Sequence, residues 1–196
     1  SVKPADMDAA RAVPDELGTL SASLAGGSRN GIDAFATAGL ELGGGSLTVS
    51  GGYASGDGFM PIVEGQRGPA DRASAYRQGS VAFRGVAPIG AATELQANLL
   101  LFHDERERGT AFSDIRTDGM DASLRLVGSG RWAWSALAYV QTRSFYNSFA
   151  SVDAARALAT RTAEQYEVPS TGAGGRIELR PPLGDRKSTR LNSSHL

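Results

Sequence analysis

The chain has 196 residues, including 25 glycines, two histidines and no cysteine, and its formal net charge is −1. A chain so close to neutral lacks the basic field that attracts nucleic acid, so composition argues against a nucleic-acid partner. No run approaches the roughly 18 consecutive apolar residues of a membrane-spanning helix.

Residues 1–16 carry no strand pattern and predict an irregular or short helical lead-in. From residue 17 onward, apolar and polar residues alternate with the two-residue period of a strand that has one polar face. In residues 93–104 the two sets are Leu95, Ala97, Leu99 and Leu101 on one face, and Glu94, Gln96 and Asn98 on the other.

The connections between these segments alternate in length. Residues 43–45, 87–92 and 128–130 are tight, whereas residues 55–71 and 145–171 are long and residues 105–112 are intermediate. Transmembrane barrels have short turns on one rim and long loops on the other. We therefore predict an all-β fold for residues 17–184: an antiparallel meander of about eight long strands forming an incomplete part of a transmembrane β-barrel.

The long connection at residues 145–171 contains an Ala-rich stretch. Val152, Ala155, Leu158 and Ala159 recur at helical spacing, which predicts a short helix in this outer loop. Aromatic residues near strand ends are expected in interfacial girdles, and these are Tyr53, Trp132, Trp134, Phe145 and Tyr146.

The sequence offers little catalytic chemistry. It has no nucleophile elbow, no phosphate-binding loop and no zinc-ligand spacing. His103, Asp104 and Glu105 are consecutive on a strand and do not converge, and the charged run at residues 104–108 is typical of a solvated loop base. We predict no catalytic residue, no metal ligand and no cofactor, and a protein that is not an enzyme.

Ligand contacts are expected on the outer loop and on the lumen-facing wall. The candidate loop residues are Phe59, Gln66 and Arg67, and the candidate wall residues are Arg84, Glu94, Arg125 and Arg176. Charges on one strand face, as at Arg176, require a wet interior. The alternative is that these charges pair with one another or with a domain inside the barrel.

Two stretches resemble a known family. Residues 46–71, SLTVSGGYASGDGFMPIVEGQRGPAD, and residues 99–110, LLLFHDERERGT, resemble strands and outer loops of TonB-dependent outer-membrane receptors. The resemblance covers about residues 17–184.

This resemblance implies a location in the outer membrane of a Gram-negative bacterium. Such receptors import a scarce nutrient, for example a ferric siderophore or another chelate, by energy-coupled active transport. The implied partners are outer-membrane lipid, the chelate, the receptor's own plug domain, and the TonB complex that engages an N-terminal segment. We expect the plug and that segment to lie outside this chain, which would then be a piece of the receptor.

Residues 185–196 break the strand pattern. The run from Asp185 to His195, DRKSTRLNSSH, resembles the in-frame translation of a common sequencing-library adapter. We therefore expect a non-native tail and exclude it from fold reasoning.

Two other classes stay open from the residues alone. One is a passive porin or small outer-membrane barrel, because eight strands can close on themselves. The other is a secreted β-rich adhesion module, because sandwich strands also alternate. Segments of about nine to eleven residues suit a tilted membrane crossing, whereas sandwich strands are usually nearer five or six.

Overall fold

A computed structural model describes residues 18–182, so the predicted lead-in at residues 1–16 and the predicted tail at residues 185–196 lie outside the described residues. Eight strands form one sheet: β1 (Thr19–Gly27), β2 (Gly31–Leu42), β3 (Gly45–Gly56), β4 (Tyr76–Pro88), β5 (Thr93–Glu107), β6 (Asp114–Gly128), β7 (Ala133–Val152) and β8 (Ala159–Arg180). Within residues 18–182 the one helical segment is a 3₁₀ turn at Glu64–Gln66, and no helix is long and apolar enough to cross a membrane.

Each strand pairs antiparallel with the next, in the order β1 to β8. The prediction of an all-β antiparallel meander of eight long strands is therefore confirmed. β1 and β8 do not pair with each other, so the sheet stays open and has two edge strands.

The two rims of the sheet carry different connections. One rim, the turn rim, holds residues 43–44, 89–92 and 129–132, and the other, the loop rim, holds residues 28–30, 57–75, 108–113 and 153–158. At the turn rim Gly43 and Gly44 have φ angles of 58° and 82°. A two-residue hairpin of type I′ needs this left-handed backbone at both positions, which is why two glycines occur there.

The predicted long loop at residues 145–171 and its helix are wrong. β7 continues to Val152 and β8 begins at Ala159, leaving a short connection at residues 153–158. Asp153 closes this connection, because its Oδ1 accepts a hydrogen bond of 2.9 Å from the Leu158 amide and its carbonyl accepts one of 2.9 Å from the Arg156 amide. The alanine run is too short to form a stable helix by itself, whereas the flanking aromatic and β-branched residues favour strands.

The pairing register places most of the large apolar strand residues on one face. Because paired residues point to the same side and the period is two, the seven ladders fix this apolar face across all eight strands. It includes Leu20, Leu24, Ile32, Leu40, Leu42, Leu47, Val49, Val81, Phe83, Leu95, Leu99, Leu101, Met120, Leu124, Leu126, Trp134, Val140, Ile177 and Leu179.

The opposite face, called the polar face, carries mostly Ser, Thr, Asn, Gln and charged side chains. Its large apolar residues are Phe35, Tyr76, Val86, Leu100, Phe102, Ile115, Val127, Leu137, Tyr139, Phe145, Phe149 and Val168.

No second layer of residues 18–182 covers the sheet. Ala70, in a loop, is the one apolar residue of this region that the fold buries, and residues of the apolar face such as Leu20 and Ile177 are 80% and 77% exposed. Ordinary domains bury an apolar face against another layer. The apolar face of this sheet is instead left exposed by residues 18–182.

The 153–158 connection gives a test that separates a turn from a helix. We expect Asp153→Ala to lower the free energy of unfolding by about 1 kcal/mol, because the Leu158 amide loses its acceptor. Ala155→Gly should change it by less than about 0.5 kcal/mol, whereas in a helix interior it would cost about 1 kcal/mol. Urea unfolding followed by circular dichroism measures both values, and the reverse ranking would contradict the turn.

Candidate functional site

All four predicted wall residues lie on the polar face. The register aligns Gln96 with Arg125, Arg125 with Leu137, and Leu137 with Arg176. Arg125 and Arg176 are thus two strands apart on one cross-strand row, roughly 10 Å at the usual strand spacing. Arg84 and Glu94 lie on the neighbouring strands β4 and β5, on the rows to either side.

The wall residues differ in their partners. Glu94 accepts a hydrogen bond of 2.6 Å from Gln96 Nε2, and Arg176 pairs with Glu178 on its own strand. Within residues 18–182, neither Arg84 nor Arg125 makes an ion pair. These two guanidinium groups are therefore available to an anionic group that approaches the polar face.

Arg84 lines a depression in the polar face. Its volume is about 460 Å³, within the range of small-molecule pockets. Its polar lining consists of Thr48, Ser50, Arg84, Asn98, Asp121, Ser123 and Gln141. Hydroxyl, amide and guanidinium groups thus surround a space that can hold a polar ligand.

Beside this depression is a charged and aromatic cluster that the sequence analysis did not predict. Arg143 donates a hydrogen bond of 3.0 Å from Nη2 to Asp121 Oδ2, and its guanidinium carbon lies 4.8 Å from the centre of the Phe102 ring. A Cβ at Gly119 would lie 2.4 Å from that ring, so only glycine leaves room for it. The three side chains come from β5, β6 and β7, and only the strand register shows that they meet.

The predicted loop residues lie at the loop rim. Phe59 is 59% exposed, Gln66 ends the 3₁₀ turn, and Arg67 donates a hydrogen bond of 2.7 Å from Nε to the Ile62 carbonyl. Arg84 is eight residues along β4 from the first residue of that strand, roughly 26 Å. The structure therefore does not bring the loop set and the wall set into one site.

The loops of this rim are joined by one ion pair, which we call the loop latch. Asp71, 4% exposed in the β3–β4 loop, accepts hydrogen bonds from Arg156 in the β7–β8 connection, one of them 2.9 Å from Nε to Oδ2. Asp71 Oδ2 also accepts one of 2.8 Å from the Gly68 amide, and the Ala70 amide donates one of 2.9 Å to the Arg156 carbonyl. A Cβ at Gly68 would lie 2.2 Å from that carbonyl oxygen.

A further connection of the loop rim, residues 108–113, is bound to the residues of the latch. Ala111 donates a backbone hydrogen bond of 3.0 Å to Ala70, and Asp71 and Thr110 form an isolated β-bridge. Arg108 donates a hydrogen bond of 2.8 Å from Nη2 to Asn147 Oδ1 on β7. Residues 57–75, 108–113 and 153–158 therefore form one ordered cap.

The two side chains of the latch stabilise each other in their charged forms. The Arg156 side chain, followed by the Gly68 amide, lowers the pKa of Asp71 from 3.8 to about 2. Asp71 in turn raises the pKa of Arg156. A carboxylate that accepts charged and backbone donors is stabilised in its ionised form, so the latch is charged throughout the physiological pH range.

No cluster of residues in 18–182 has the ligands for a metal ion. His103 Nδ1 lies 2.7 Å from Asp118 Oδ1, while Asp104 is on the opposite face and accepts a hydrogen bond of 2.7 Å from Arg106 Nε. The charged run predicted as a loop base belongs to β5 as far as Glu107.

We compared the chain with models of protein families, with curated proteins and with solved structures, and none of the three comparisons gave a match. The structural features that bear on function are the two faces of the sheet and the ordered cap.

The latch gives a prediction with a defined pH dependence. At pH 6, Asp71→Asn should lower the hydrogen-exchange protection of the Gly68 and Ala70 amides about tenfold, because charged hydrogen bonds are lost. In the wild type the pKa is depressed on folding, so the latch contributes stability above pH 4 and loses it as pH falls through about 2.

Asp57→Asn is the matched control, because Asp57 lies in the same connection but is bound by Asn30 instead. Equal loss of protection in both variants would contradict the latch.

Proposed function

We propose that residues 18–182 form part of the wall of an outer-membrane β-barrel of the TonB-dependent receptor class, which imports a scarce nutrient such as a ferric siderophore or other chelate. The observation that carries this proposal is the exposed apolar face, continuous over eight strands, opposite a polar face. A barrel wall needs this division, because lipid contacts one face and water the other.

The dimensions of the apolar face support the proposal. On β5 it runs from Leu95 to Leu101 and gives way to His103, and on β2 it runs from Ile32 to Leu42. At about 3.3 Å per residue these spans are roughly 20 and 33 Å. In outer-membrane barrels the apolar band is about 25 Å tall and the strands tilt by about 40°, so crossing it takes roughly 33 Å of strand, which the span on β2 matches and the span on β5 does not reach.

Aromatic residues lie at both ends of this band. Trp134 is near the turn rim, paired with Gly128 and Leu179, and Tyr53 and Tyr146 are toward the loop rim. Aromatic rings at both boundaries are typical of proteins that cross a bilayer with strands. Phe145, also predicted for a girdle, is instead on the polar face, paired with Thr117 and Val168.

The alternatives fit these observations less well. A secreted adhesion module would cover its apolar face with a second layer, and residues 18–182 provide none. A small closed barrel of eight strands would pair β1 with β8, whereas here both edges are open. An open sheet of eight strands fits a segment of a larger barrel better.

The proposed import function also gives the polar face a role. In a receptor this face lines the lumen, where Arg84 and Arg125 would attract the carboxylate or phenolate groups of a chelate, or acidic side chains of a plug domain. The ordered cap would hold Phe59 and Arg67 at the outer mouth, where ligand arrives first.

Arginine substitutions at two adjacent positions of one strand test the wall assignment. In the complete protein encoded by the source gene, folded in lipid vesicles, Leu99→Arg, near the middle of the apolar face, should lower the free energy of unfolding by about 2–4 kcal/mol. Asn98→Arg, on the polar face of the same strand, should change stability by about 0.5 kcal/mol or less. Urea titration in vesicles measures both, and equal effects would contradict a lipid-facing apolar face.

Recovery of the flanking DNA tests energy-coupled import. We expect the source gene to encode a plug domain with an energy-coupling segment before these strands, and further strands after residue 184. A complete gene that encodes only these eight strands would contradict the receptor and favour a small barrel.

A further inference from the structure

Aromatic residues and glycines face each other across the strands of this sheet. Within residues 18–182, six large aromatic residues are each paired directly with a glycine of a neighbouring strand, and these pairs occur in five of the seven ladders. We call them the ring-glycine pairs. They are Phe35 with Gly52, Tyr53 with Gly79, Tyr76 with Gly56, Phe102 with Gly119, Trp134 with Gly128, and Tyr139 with Gly174.

In three of these pairs the aromatic side chain lies where the glycine would otherwise carry its own side chain. A Cβ on the glycine would overlap the ring of Phe102 or of Trp134, and it would lie 2.5 Å from the hydroxyl oxygen of Tyr139. Carbon atoms in contact are normally about 3.5–4.0 Å apart. Only glycine therefore lets these three aromatic side chains rest against the backbone of the next strand.

Hydrophobic patterning alone does not fix the register of such strands. A slip by one residue would exchange the two faces, but a slip by two residues would return every apolar side chain to the apolar face, because the period is two. Glycine-rich strands are the most prone to slip, since they offer little side-chain packing. β8 contains Gly172, Gly174 and Gly175, so another feature must select its register.

The ladder with the longest connection in the described part of the chain has two ring-glycine pairs. A tight turn fixes the register of a hairpin by itself, whereas the β3–β4 connection, residues 57–75, is too long to do so. Tyr53 and Gly79 form a pair on the apolar face of this ladder, and Tyr76 and Gly56 form one on its polar face. The register of β3 and β4 is therefore marked on both faces of the sheet.

We propose that the ring-glycine pairs are register locks: an aromatic ring fits against the neighbouring strand only where a glycine lies directly opposite, so the native register is selected over registers shifted by two residues. In the β5–β6 ladder, such a shift would bring Thr117 or Asp121 opposite Phe102. Either side chain would occupy the space that Gly119 leaves for the ring. The locks require only the paired strands, so they do not depend on the proposed transport function.

The β7–β8 ladder contains matched controls for a test. Gly174 is paired with Tyr139, whereas Gly172 is two residues away on the same face of β8. No atom of residues 18–182, apart from the chain neighbours of Gly172, lies within 4 Å of the position that a Cβ would take there. Phe145 is on the same face of β7 as Tyr139, but it is opposite Val168 on β8. Each half of the lock thus has a counterpart outside it.

Disulfide trapping measures the register of this ladder. The complete protein encoded by the source gene, with any cysteine of its own changed to serine, is refolded from urea into lipid vesicles or, where it folds there, into buffer, and is then oxidised. Ser135→Cys is combined with Glu178→Cys to trap the native register, and with Arg176→Cys or Arg180→Cys to trap the registers shifted by two. A disulfide needs Cβ atoms about 4 Å apart, and diagonal neighbours are roughly 7 Å apart, so each pair reports one register.

The lock predicts which variants shift the register. Gly174→Ala and Tyr139→Leu should each raise the shifted fraction about fivefold, the upper end of what a cross-strand aromatic pair contributes, whereas Gly172→Ala and Phe145→Leu should leave it unchanged. Gly174→Ala should favour the register that Arg176→Cys traps, because that register places Tyr139 opposite Gly172. Adding Gly174→Ala to Tyr139→Leu should have no further effect, because no ring remains for the alanine to displace.

Equal effects of the two glycine variants, or of the two aromatic variants, would overturn the register lock. A native disulfide without shifted ones in every variant would also overturn it. Should a β7 or β8 variant fail to fold, Phe102→Leu tests the lock in the β5–β6 ladder, with Asn98→Cys and either Ser123→Cys for the native register or Arg125→Cys for a shifted one. Folding in buffer but not in vesicles would overturn the barrel wall and leave the lock to be decided by the same disulfides.

Discussion

The structure depends on the register of seven antiparallel ladders. Each ladder fixes which side chains point to which face, and a slip by one residue in any of them would move a whole apolar set to the polar face. Because all seven agree, the apolar side chains form one continuous surface. A single-layer sheet has no interior to bury, so its stability depends on backbone hydrogen bonds and on the medium that covers the apolar face.

Much of this could be predicted from sequence. The two-residue period shows the strands and both faces, so Arg84, Glu94, Arg125 and Arg176 could be assigned to one side without knowledge of the pairing. Glycines and loop lengths show the turn rim. These signals are local, and each depends only on residues close together in the chain.

The parts that were wrong or missed depend on long-range contacts. The Ala-rich stretch at residues 152–159 has a helical pattern, but pairing between β7 and β8 supplies hydrogen bonds that a short helix cannot match. Asp71 and Arg156 are 85 positions apart, and Phe102 meets Arg143 only because three strands are in register. Composition and spacing contain no trace of either pair.

The loop latch depends on the length of β7 and β8. The last partner of β7 on β6 is Ile115, opposite Asn147, yet β7 continues five residues further, to Val152. That extension carries residues 153–158 beyond the rim, where Arg156 reaches Asp71 in the β3–β4 loop. Without this extension the three connections of the ordered cap would lose their shared anchor, and ordering each of them separately would cost more conformational entropy. The cap therefore depends on the extra length of β7 and β8 at this rim.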